Sequence, residues 1–121
     1  MKIVLYGQPL STQSIYKYTC ARGFPNLYMT KAGKDIKEYY NLSAKSQYHH
    51  KPLKEDLEIK VKLYFKDKGK KDIDNFNKLL LDSLTGILWQ DDCQIKKSIT
   101  EMLYDKAKPR IEIDVLKHKK I

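Results

Sequence analysis

Leu57-Glu58-Ile59-Lys60-Val61-Lys62-Leu63-Tyr64-Phe65 decides how the rest of the chain is read. Apolar and charged residues alternate strictly from Leu57 to Leu63. That period puts the aliphatic side chains on one face and the charges on the other, as in a strand buried on one side. Residues 66–71 follow as a basic loop containing Gly69. A helix then opens near Asp74, a residue type suited to an N-cap. Its apolar stripe is Phe76, Leu79, Leu80, Leu84 and Ile87, and Gly86 weakens or ends it. Residues 95–103 and 110–116 read as two further strands, joined by residues 104–109.

Toward the N-terminus, residues 2–6 read as a strand ended by Gly7-Gln8-Pro9. Residues 16–20 and 27–30 alternate like strands, with a turn over residues 22–26 between them. Thr30 caps a helix over residues 31–47, whose stripe is Ile36, Tyr39, Tyr40, Leu42 and Ala44. The order β-β-β-α-β-α-β-β, with hairpin-like connections, predicts an α+β fold. The expectation is a mixed or antiparallel sheet of about five strands with two main helices, in one compact domain over residues 1–121.

The chain carries 24 Lys+Arg against 15 Asp+Glu, a formal charge of +9. All but Arg22 and Arg110 of those cations are lysine. This balance suits a polyanionic partner, and equally a lysine-rich protein with no such partner. The apolar run at the N-terminus is too short for a signal peptide, and no stretch approaches the roughly 18 apolar residues of a membrane span. Cys20 and Cys93 have no metal-type spacing. The expected location is cytoplasmic, without membrane association.

Against that basic background stand Asp72, Asp74, Asp91 and Asp92. Clustered carboxylates repel each other and repel phosphates. A hard divalent cation such as Mg²⁺ relieves that repulsion through oxygen ligands. Asp72 and Asp74 are two apart, which places both on one face of an extended segment. Asp74, Lys78 and Asp82 are spaced four apart, on one helix face. Asp91-Asp92 returns after the helix and can close the cluster. The plain alternative is an N-cap at Asp74, a turn at Asp91-Asp92 and a solvated Asp72.

Lys71-Asp72-Ile73-Asp74-Asn75-Phe76-Asn77-Lys78, then Leu81-Asp82-Ser83-Leu84, then Asp91-Asp92-Cys93-Gln94-Ile95 resembles the signature of RusA-type Holliday junction resolvases. Ser83 stands where that family usually has alanine. The resemblance implies a small homodimer that needs Mg²⁺ and cuts four-way DNA junctions. It implies Asp72, Asp74 and Asp92 as metal-binding carboxylates, Asp91 as partner of Asp92, and Lys78 as a catalytic residue. Hydrolysis of a phosphodiester needs an activated water and relief of developing charge, which this set can supply.

Lys68, Lys70 and Lys71 precede the acids and are candidate phosphate contacts. Lys17, between Tyr16 and Tyr18, and Lys31 and Lys34 are further candidates for DNA contact. Solvated lysines and half-buried tyrosines explain the same residues without a ligand. Trp89 reads as core, Asp82 as a group that orients Lys78, and Glu101 as a minor candidate for a fourth acid. His49 and His50 are adjacent and point to different sides, which argues against a metal site there. Two readings compete with a junction resolvase: a non-catalytic basic DNA-binding protein, and a metal nuclease acting on other branched DNA.

Overall fold

The computed structural model describes residues 1–11, 16–21, 24–73 and 76–118, with backbone alone for residues 16–21 and 24–28. The strand β4 (Leu57–Phe65) lies inside a four-stranded sheet of order β1-β6-β4-β5. β1 is Lys2–Tyr6, β5 is Ile95–Tyr104 and β6 is Arg110–Lys117. β6 pairs antiparallel with both β1 and β4, and β5 pairs parallel with β4. Leu57, Ile59, Val61, Leu63 and Phe65 are each at most 2% exposed. The alternation therefore buries one face of β4, and that face meets both helices.

The first helix, α1 (Lys31–Gln47), starts as expected: the Thr30 hydroxyl accepts from the Gly33 backbone N–H at 3.2 Å. Tyr40 and Ala44 of α1 share the core with Ile3 and Leu5 of β1. The end of α1 also covers the outer edge of β1. Gln47 accepts from the Val4 N–H at 2.8 Å and donates to the Val4 carbonyl at 2.7 Å. One side-chain amide thus stands in for a missing neighbouring strand, where an open edge invites pairing with other chains.

β2 (Tyr16–Ala21) and β3 (Phe24–Met29) form a separate antiparallel ribbon. The expected turn over residues 22–26 is too long: Phe24, Pro25 and Asn26 lie in the ladder, and Pro25 pairs with Cys20. A two-stranded ribbon leaves each strand one open edge, where a proline without an N–H breaks no ladder bond. The described strands divide four and two between two sheets, rather than about five in one.

The second helix, α2 (Asn77–Leu84), connects the parallel neighbours β4 and β5. It starts later than expected, with Phe76 at the N-cap and no side-chain cap bond. Leu79, Leu80 and Leu84 are buried, and Gly86, at φ +89°, turns the chain away. Trp89 is fully buried, and its indole N–H donates to the Thr85 hydroxyl at 3.0 Å. β5 and β6 are not a hairpin. The chain leaves β5 at the sheet edge, passes the end of β4 through the Asp105 N–H to Phe65 carbonyl bond, and inserts β6 between β1 and β4. Alternation tells which face of a strand is buried, not which strand lies beside it.

Candidate metal and nucleic-acid site

The helix α2 presents two faces with different jobs. Ser83 is fully buried, and its hydroxyl donates to the Leu79 carbonyl at 2.6 Å. That internal bond satisfies the one polar group serine adds over alanine. On the more exposed side, the Lys78 ammonium lies 3.5 Å from an Asp82 carboxylate oxygen, one helical turn on. The helix start is pinned to the sheet where the Thr100 hydroxyl meets the Asn77 side-chain oxygen at 3.5 Å. Because Thr100 faces α2, the next residue, Glu101, lies on the opposite face of the sheet.

Asp72 is exposed, in the segment between the lysine loop and α2. Asp74 lies outside the described residues. The helix starts at Asn77, and of the expected face of Asp74, Lys78 and Asp82 the described residues are Lys78 and Asp82, which lie together.

The second acid pair is built into a 3₁₀ turn, Asp92–Gln94, immediately before β5. Asp91 caps it: its Oδ1 accepts from the Cys93 N–H at 3.0 Å. That backbone bond holds the Asp91 carboxyl below the usual carboxylate range. Gln94 completes a reciprocal capping box. Its Oε1 accepts from the N–H groups of Gln90 at 2.9 Å and Asp91 at 2.8 Å. Its Nε2 donates to the carbonyls of Leu53 and Glu55, both at 2.9 Å. Gln94 is buried and ties the acid pair to the segment that leads into β4. Its role was missed in the sequence, although a Gln three residues after an Asp is the spacing of a capping box.

The lysine loop is braced from within. The Lys71 ammonium donates to Asp67 Oδ1 at 2.7 Å and to the Gly69 carbonyl at 3.1 Å, and sits 4.6 Å from the centre of the Phe65 ring. Lys71 holds the Asp67 carboxyl below its ordinary value. Asp67 is a second residue the sequence reading passed over. Lys68 and Lys70 are exposed, as are Lys31 and Lys34 in the first turn of α1. The Lys17 side chain lies outside the described residues.

Endodeoxyribonuclease RusA is the family whose model the chain matches, over residues 7–116. The chain belongs to the RusA endodeoxyribonuclease family. No curated protein sequence matches it. The matched span includes every acid discussed above and all of the described four-stranded sheet except β1 and the last residue of β6. Among the described residues no three His, Cys, Asp or Glu side chains converge as a metal site. The RusA-like chain does supply the donor chemistry for a hard cation: Asp72, Asp91 and Asp92 are exposed carboxylates and offer oxygen alone. No described helix is long and apolar enough to cross a membrane.

Proposed function

We propose that this RusA-family protein is a Mg²⁺-dependent endonuclease that resolves four-way DNA junctions by paired symmetric nicks, acting as a homodimer. Family membership over residues 7–116 carries the reading. Asp72, Asp74 and Asp92 would hold the metal, with Asp91 positioning Asp92. One Asp91 oxygen is already committed to the Cys93 N–H, which favours Asp92 as the principal ligand. Bound there, Mg²⁺ would supply an acidified water and a polarised phosphate.

The chain's own groups do the rest. The Lys78 ammonium offsets negative charge that grows on the phosphate oxygens, and Asp82 fixes its direction. Lys68, Lys70 and Lys71, with Lys17, Lys31 and Lys34, draw the DNA backbone to the site. Two identical sites related by a two-fold axis match a junction that must be nicked in two strands. Exposed Tyr39 and Leu42 on α1, and Tyr6 on β1, favour an interface in the N-terminal half.

The deciding experiment compares labelled junction, flap, fork and linear duplex with Mg²⁺. Preferential paired nicking of the junction supports the reading. Equal cutting of flaps and forks makes the protein a general branched-DNA nuclease. Tight binding without cutting makes it a non-catalytic DNA-binding protein.

A further inference from the structure

A second feature sits at the C-terminal ends of β4 and β5, apart from the acid pair at the start of β5. There Phe65, Met102, Leu103 and Tyr104 meet the braced loop through Asp67, Lys68, Gly69 and Lys71, around a cavity of about 420 Å³. A cavity of this size is within the range of small-ligand sites. Its floor is apolar, and one wall is the Tyr104 ring, which is 47% exposed. The Lys68 ammonium lies 5.1 Å from the centre of that ring. The acid in the lining is Asp67, and Lys71 engages it at 2.7 Å, so Lys68 leaves the pocket positive.

We propose that this cavity is a stacking subsite for one unpaired nucleotide of the DNA. The base lies against the Tyr104 ring over the apolar floor, and its phosphate pairs with Lys68. A flat apolar body joined to a single anion is what an aromatic wall beside a lysine complements. An exposed cation–π contact is weaker than base stacking on an aromatic ring, so the base displaces Lys68 from the ring to the phosphate. Gly69 belongs to the arrangement: a Cβ there would meet the Asp67 carboxylate at 3.0 Å and disturb the brace. The subsite rests on the reading above that DNA is the substrate. It adds that strands must come apart locally, since a paired base cannot stack there.

The test uses the full chain in EDTA, so that nothing is cut. Binding is measured for a labelled short oligothymidylate and for an abasic deoxyribose-phosphate oligomer of equal length. The two carry the same charge, and their ratio isolates stacking. The wild-type protein should prefer the base-bearing strand by about fivefold or more. Tyr104→Phe should keep that preference and Tyr104→Leu should reduce it to near unity. Tyr104→Thr, which also suits a strand end, serves if the leucine variant fails to fold. Equal binding of the two oligomers by the wild type, or a preference that survives loss of the ring, overturns the subsite. Junction cleavage by the wild type in Mg²⁺ is read separately. Its failure alongside a Tyr104-dependent preference removes the resolvase reading and leaves the subsite standing.

Discussion

The Gln94 side-chain oxygen accepts the backbone N–H of Asp91 at 2.8 Å, while the Asp91 carboxylate caps the turn that contains Gln94. This reciprocal pair makes the acidic turn a rigid unit. The other end of the Gln94 amide grips the Leu53 and Glu55 carbonyls, so the turn keeps its place relative to β4. A carboxylate that must meet a cation and a phosphate gains from such support.

Gln94→Leu should be severely destabilising. It strands the part-buried Asp91 N–H and Glu55 carbonyl, while the Gln90 N–H and Leu53 carbonyl keep their own bond at 3.3 Å, at a cost of about 2 kcal/mol. Urea unfolding measures it. A loss below about 1 kcal/mol would mean that water takes over these bonds.

Asp72→Asn, Asp74→Asn and Asp92→Asn should each abolish cleavage and leave junction binding intact or tighter. Asparagine keeps the shape but removes the charge a hard cation needs. Asp91→Asn should be milder, because asparagine also serves as a cap. A dead Asp91→Asn beside an active Asp92→Asn would exchange the two roles.

Lys78→Ala should lower the cleavage rate by on the order of 10²–10³ while junction affinity changes little. Lys78→Arg should rescue poorly, since a planar fork does not replace a point charge one turn from Asp82. Single-turnover rates and a binding titration separate the two effects. An unchanged rate in Lys78→Ala reduces the residue to a surface lysine.

On the open face of the sheet, Glu112 bonds Lys2 at 2.8 Å and Arg110 at 2.6 Å, and Arg110 also lies over the Tyr64 ring. The bond to Lys2, followed by that to Arg110, holds the Glu112 carboxyl below its ordinary 4.5. A depressed carboxylate pKa adds stability above the unfolded value, and that stability is lost as pH falls through the folded value. Glu112→Gln should therefore lower Tm at pH 7, and the gap to wild type should narrow as pH falls below the ordinary carboxylate value. A gap that is the same at pH 7 and pH 3 would assign the loss to packing alone.

Much of this was legible in the chain. Strict alternation revealed β4 and its buried face, and Thr30 before a polar, periodic segment revealed α1 to the residue. Strand neighbours were not legible. β5 is an edge strand with mostly exposed residues, so its parallel place beside β4 leaves little trace in its composition. The start of α2 was misjudged because Asp74 is a good capping type, whereas the helix is held by burial of Phe76 and Leu79 and begins without a cap. The acids were conspicuous against +9 of net charge. Gln94 and Asp67 were not: Gln94 grips the Leu53 and Glu55 carbonyls, which only the fold brings to it, and Asp67 braces a lysine loop that reads as merely solvated.

Cleavage of a labelled synthetic four-way junction, in parallel with Mg²⁺ and with EDTA, tests the central claim most directly. The account predicts two nicks placed symmetrically across the junction in Mg²⁺, none in EDTA, and none from Asp72→Asn in either. Cutting that persists in EDTA, or an intact junction at saturating protein and Mg²⁺, would contradict it.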